Sequence, residues 1–168
     1  MAGRIEVANL SPGFIEPDFA LVSETERGEL WRTINAAFAE YEGFIGKPYK
    51  RFTTYEQFIQ SLTDENNHYL LIKDGEKNLA GVCYREPDEL SETLYFGTLW
   101  VSLEYRNMDL ASQLIGRLER EARKRGLKGM SIQLYRIPTL IDFYRRRHGF
   151  VFAIDETRGQ MVKYFDCK

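Results

Sequence analysis

The stretch YRNMDLASQLIGRLEREARKRG, residues 105–126, reads as a loop that opens a helix. Leu110, Leu114, Leu118 and Ala122 recur every four residues, with Ala111 and Ile115 alongside, so one apolar stripe faces a core. Lys124 and Arg125 fill the last turn and Gly126 follows, as a helix C-terminus prefers. The opening turn presents backbone N–H groups that nothing inside the helix can accept, and with the helix dipole they form an anion site. Glycines let a phosphate approach such a loop closely, and Asp109 stands where a glycine is wanted. Asp109 is therefore either an acidic residue in a phosphate cradle or simply the N-cap of the helix.

Outward from this helix, TLYFGTLWVSL (93–103) before it is a long strand rich in β-branched and aromatic residues. After it, GMSIQLY (129–135) is a strand, and Pro138 can start a short helix in PTLIDFYRRRH (138–148). GFVFAID (149–155) and GQMVKYF (159–165) close the chain as strands. Earlier, HYLLIKD (68–74) and KNLAGVCYRE (77–86) are strands around the turn DGEK. SETERGELWRTINAAFAEYE (23–42) is helical, with Ser23 or Thr25 as N-cap and Leu30, Ile34, Ala37 and Phe38 as its apolar stripe. GFIGKPYKRF (43–52) is an aromatic-rich loop, and TTYEQFIQSLTD (53–64) a second helix. RIEVANL (4–10) alternates like a first strand, and SPGFIEPD (11–18), punctuated by Pro and Gly, is a loop. Helices, then antiparallel strands, then strand–helix–strand–helix–strand argue a mixed α+β sheet covered by helices.

A chain of 168 residues suits a single domain, residues 1–168, with no internal repeat or linker. No apolar run approaches the roughly 20 residues of a membrane span, and the N-terminus lacks the apolar stretch of a secretory signal. Cys83 and Cys167 have no metal or redox spacing and are expected to be reduced thiols in a cytoplasmic protein. His68 and His148 are too isolated to suggest a metal site. The net charge of −2 hides an asymmetry: residues 104–148 hold eleven Lys/Arg and five Asp/Glu, a net of +6. That split suits an anion-binding side, although RLEREARKRGLK mixes signs as a solvated helix face does. The interleaved glutamates and low pI argue against a nucleic-acid partner.

Residues 99–111, LWVSLEYRNMDLA, resemble the acyl-CoA-binding segment of the GNAT superfamily of N-acetyltransferases. The family pattern is an apolar strand, a proline–acidic–Tyr step, then Arg/Gln-x-x-Gly-x-Gly/Ala. Leu99 and Val101 match the strand, Arg106 and Ala111 match the ends of the loop, and Leu103 and Asp109 replace the proline and a glycine. The resemblance continues through the helix, SIQL, LIDFY and Gly149-Phe150, and covers roughly residues 67–166. It implies a central mixed, mostly antiparallel sheet of six to seven strands with helices on both faces. It also implies that acetyl-CoA, the acyl donor, lies in a splay between the strands TLYFGTLWV and SIQLY. The backbone around Leu99 and Val101 would pair with the pantetheine arm. The N–H groups of Arg106, Asn107, Met108, Asp109, Leu110 and Ala111 would hold the pyrophosphate.

The family's second motif is Asn-x-x-Ala-x-x-apolar-Tyr-x-x-x-Gly-Phe, and its tyrosine can protonate the leaving thiolate. LIDFYRRRHGF has four residues, not three, between Tyr144 and Gly149. Aligned on the apolar pattern, Tyr144 is the acid and one Arg is extra; aligned on Gly149, Arg145 takes its place. Ile137 or Pro138 stands at the asparagine position. Where some members carry a glutamate base this chain has Tyr95, and a phenol is a poor base at neutral pH; Glu92 is the nearest carboxylate. A water chain, or no dedicated base, is expected.

The resemblance thus implies transfer of an acetyl group to an amine of a small molecule or peptide; a binding module of the same fold with little turnover is the alternative. The acceptor would meet the crowd of Phe38, Tyr41, Phe44, Tyr49, Phe52 and Tyr55, at least half of which are expected in the core. The acidic surroundings favour an amine over a carboxylate-rich acceptor. No membrane partner is expected, and a homodimer is left open.

Overall fold

A computed structural model describes residues 13–17, 22–153 and 159–166. The strand expected at RIEVANL and the thiol of Cys167 lie outside these residues. Seven strands form one sheet in the order β1-β2-β3-β4-β5-β7-β6. They are β1 (Gly13–Ile15), β2 (Asn67–Asp74), β3 (Lys77–Arg85), β4 (Thr93–Val101), β5 (Gly129–Gln133), β6 (Val151–Phe152) and β7 (Gln160–Tyr164). The described helices are α1 (Glu24–Phe38), α2 (Tyr41–Ile45), α3 (Tyr55–Thr63), α4 (Leu110–Lys124) and α5 (Pro138–Asp142). The sheet is mostly antiparallel and the fold mixed α+β, as the order of elements requires. No helix among the described residues is long and apolar enough to cross a membrane.

The chain packs as two compact units: residues through Cys83 with Thr98–Ala111, and Tyr84–Gly97 with Ser112 onward. In the first, Ser23 caps α1 by accepting the Glu26 N–H at 3.2 Å, which settles the choice between Ser23 and Thr25. The four stripe residues of α1 are all buried, in one cluster with Phe52, Phe58, Leu71 and Trp100. Thr54 caps α3 through the Gln57 N–H at 3.1 Å. The stretch SPGFIEPD is not wholly loop, because Gly13–Ile15 pairs antiparallel with β2, Ile15 opposite Leu71. A strand this short, hemmed by prolines, owes its existence to a partner more than fifty residues away, and nothing local announces it. Likewise α2 draws Tyr41 and Glu42 from the end of the expected first helix and residues 43–45 from the expected loop, and it ends at Gly46, whose φ of +78° suits a residue without a Cβ.

In the second unit β4 and β5 are parallel, paired from Thr93–Gly129 to Phe96–Ile132. α4 buries Leu114, Ile115, Leu118 and Ala122. Gly126 (φ +74°) donates to Arg123 O and Leu127 to Ala122 O, each at 3.0 Å. These are the two bonds of a Schellman ending. β7 pairs antiparallel with both β5 and β6.

Candidate functional site

β4 stops its pairing with β5 at Phe96 but continues to Val101. Between them Gly97 is followed by Thr98 at φ +50°. A β-branched residue in the left-handed region is strained, and such strain persists only where its surroundings hold it. Arg51 does so: its Nε and Nη2 donate to Thr98 Oγ1 at 3.0 and 2.6 Å. Leu99 and Val101 follow, both half-buried.

Beyond the strand, a single 3₁₀ turn (Leu103–Tyr105) leads into Arg106–Asp109 and then α4. Asn107 and Asp109 have φ of +67° and +61°. Two left-handed residues so close together turn the backbone as a glycine would, and Asn and Asp are the residues that tolerate it at least cost. This explains the missing glycine: position 109 needs left-handed backbone, and an aspartate can supply it. Asp109 immediately precedes Leu110, the first residue of α4, so it also occupies the N-cap position, where an extended backbone is the usual choice.

The Arg106 side chain is spoken for within the first unit. Its Nε donates to Val101 O at 3.0 Å, one Nη to Glu40 Oε1 at 3.0 Å and the other to Ala37 O at 3.2 Å. The last bond places a cation at the C-terminus of α1, where the helix dipole favours it and where α1 has no basic residue of its own. Arg106 therefore braces the loop against α1 through three of its five N–H donors. The same contact engages the Val101 carbonyl, so a ligand pairing at Val101 would rely on its N–H.

The extra residue of LIDFYRRRHGF is absorbed by a π-turn at Phe143–Arg147. In a Schellman ending at Gly149, its N–H would reach Arg146 and that of Phe150 would reach Arg145. Here Gly149 (φ +74°) donates to Arg145 O and Phe150 to Tyr144 O, each one residue further back. Both ends of the motif thus keep their places, with the surplus residue bulged out between them. Tyr144 is 2% exposed and packs against Phe143, Phe96 and Phe150, with centroids 5.2, 6.2 and 5.4 Å away. Arg145 is exposed and lies over the Phe152 ring at 5.3 Å. His148 bonds Ser112 Oγ through Nε2 at 2.9 Å.

The two candidate bases fare poorly. Tyr95 is solvent-exposed. Glu92 faces Lys128 Nζ at 3.4 Å in a solvated pair. Of the aromatic crowd, Phe38 and Phe52 belong to the core, Tyr41, Tyr49 and Tyr55 pack against it, and Phe44 is exposed. Thr98 and Arg51 were not legible in the sequence; Gly97 inside a strand pattern is the one hint of an irregularity there.

Comparison with known proteins completes the picture. Residues 30–150 match the model of the acetyltransferase (GNAT) family. Similar solved structures include the PaiA N-acetyltransferase of Thermoplasma acidophilum in complex with coenzyme A, with a TM-score of 0.70 and 12% identity over 93% of this chain and 100% of that one. An acyl-CoA N-acyltransferase from Pseudomonas aeruginosa gives 0.65 and 18% over 91% and 99%. The ribosomal-protein-S18-alanine N-acetyltransferase of Escherichia coli gives 0.67 and 12% over 94% and 96%. No curated protein sequence matches significantly. The family match spans most of the chain, including β4, the loop 106–109, α4 and the turn that ends at Gly149: the protein belongs to the GNAT family of acetyltransferases, which take acetyl-CoA as acyl donor.

Proposed function

We propose that the protein is an N-acetyltransferase, a single acyltransferase domain that moves the acetyl group of acetyl-CoA to an amine by direct attack on the thioester. The observation that carries this reading is the loop 106–111: two left-handed residues and a braced arginine ahead of α4, whose first-turn N–H groups lack acceptors within the helix. That loop is the pyrophosphate site in this reading, and the backbone of Leu99 and Val101 receives the pantetheine arm. The acceptor nitrogen bonds to the thioester carbonyl carbon, the C–S bond breaks, and the nitrogen gives up its proton to water. The thiolate takes a proton from Tyr144. β4 carries no carboxylate to serve as base, and Glu92 just before it stands in a solvated pair with Lys128. Arg145 joins the basic tract that attracts the CoA phosphates.

Calorimetry of acetyl-CoA against the purified chain tests the reading. Saturable binding with a raised melting temperature is expected; neither heat nor a melting shift at millimolar ligand would sink it. Binding with no turnover on any amine would leave the acyl-CoA-binding module.

Asp109 refines the test. Its carboxylate stands in the loop assigned to a pyrophosphate, a like-charge cost on the order of 1 kcal/mol at a few ångströms. Asp109→Asn keeps the capping oxygen and the left-handed preference while deleting the charge. It should leave the melting temperature nearly unchanged and tighten acetyl-CoA about 5-fold at low salt, less at high salt. Unchanged affinity at every salt concentration would show the carboxylate turned from the ligand; weaker binding would show that it organises the loop.

A further inference from the structure

Among the described residues, Arg51 is a cation without a counter-ion. It is half-buried, its guanidinium lies 4.5 Å from the centroid of the Phe52 ring, and its Nε and Nη2 both donate to the Thr98 hydroxyl. Among the described residues no carboxylate pairs with it. The Tyr69 phenol lies within its electrostatic reach. Burial first, and then Cys83, push that phenol well above its ordinary value, so it stays neutral and offers no charge. A guanidinium has five N–H donors; with Nε and one Nη2 hydrogen given to Thr98, the Nη1–Nη2 edge keeps the parallel pair that matches a carboxylate.

The group is also held in place. Asn35 clamps the next residue, taking the Phe52 N–H on Oδ1 at 3.0 Å and giving Nδ2 to the Phe52 carbonyl at 3.1 Å. Glu42 accepts the Tyr49 N–H at 3.1 Å. The strained Thr98 backbone aims the hydroxyl that takes the fork. Preorganisation of this kind lowers the entropy lost when a ligand is bound.

Position identifies what would bind. Thr98 lies three residues back from Val101 on β4, about 10 Å from it at strand rise, and so on the side away from the phosphate loop. Pantetheine laid along β4 from that loop brings its thioester, not its phosphates, toward Thr98. That end of the donor is uncharged, so an anion meeting Arg51 comes from the acceptor. We propose that Arg51 is an acceptor-recognition residue that pairs with a carboxylate, making the acceptor a small amine that carries a carboxylate, as a free amino acid does. This rests on the acetyl-transfer reading above and narrows its substrate class. One carboxylate beside an amine is compatible with the acidic excess elsewhere in the chain.

The test uses products, so that turnover is not required. A set of N-acetyl amino acids, and the same set as primary amides, is titrated calorimetrically against the full chain saturated with coenzyme A. At least one free acid should bind ten-fold or more tighter than its amide. Arg51→Gln should abolish that difference, and Arg51→Lys, which keeps the charge but not the fork, should retain part of it. Melting curves of both variants check folding, and should Arg51→Gln not fold, a reduced preference in Arg51→Lys carries the result. Acids and amides binding alike, no binding by either, or an acid preference that survives Arg51→Gln would each overturn the assignment. Failure of acetyl-CoA itself to bind would instead overturn the acetyl-transfer reading, so the two failures are distinguishable.

Discussion

Tyr144→Phe is expected to lower turnover about a hundredfold while leaving acetyl-CoA affinity and melting temperature nearly unchanged. The substitution removes one oxygen. The ring keeps its edge contacts with Phe143 and Phe150 and its tilted contact with Phe96, which fix its position in the second unit. What it loses is the proton assigned to the departing thiolate. Arg145→Ala is the companion measurement. Arg145 is exposed, and the hydrogen bond that shapes the turn is made by its carbonyl, which alanine retains. It should therefore be close to silent in kcat. Reversal, with Tyr144→Phe silent and Arg145→Ala damaging, would mean that the motif is read from Gly149 after all. If neither changes kcat, the thiolate takes its proton from water and Tyr144 is a packing residue.

The π-turn that lies between these registers shows where sequence reasoning stops. Four residues between Tyr144 and Gly149 reveal that one is surplus, but not where the backbone will put it. The answer depends on keeping both Tyr144 and Phe150 buried, a tertiary requirement. By contrast, the buried faces of α1 and α4 were legible, because a 3.6-residue period is local and every stripe position that it names in α1 is buried, although α1 ends at Phe38 where the expected helix ran on to Glu42. The loop 106–109 was legible as a pattern and its strain was not: left-handed backbone at 107 and 109 is a three-dimensional fact that Asn and Asp merely permit. Arg51 and Thr98 are 47 residues apart, and no spacing rule connects them. Site residues held by non-local bonds leave little periodic trace, whereas buried faces leave a strong one.

Two glycine-to-alanine substitutions in the second unit should move stability in opposite directions. Gly129 opens β5, where it pairs with Thr93 on one side and Tyr164 on the other. A Cβ there would sit 2.1 Å from the Lys163 carbonyl oxygen and 3.0 Å from Tyr164 Cα. Both are backbone atoms of β7, so no rotamer change relieves the clash and the strand itself must retreat. That retreat strains the Phe165 N–H bond to Lys128 O at 2.8 Å and the Lys163–Glu119 ion pair at 3.3 Å. Gly129→Ala should therefore cost about 3 kcal/mol, at the upper end for overpacking, and lower the melting temperature by roughly 10 °C. Gly116, in the middle of α4, is exposed and would place its Cβ in open space. There the same methyl only removes the entropy cost of glycine in a helix, so Gly116→Ala should stabilise by about 0.5–1 kcal/mol. Thermal and denaturant unfolding of the two variants measures both. A shift of under about 2 °C for Gly129→Ala would mean that β7 yields locally, and that its pairing with β5 is not what holds the closing strands in place.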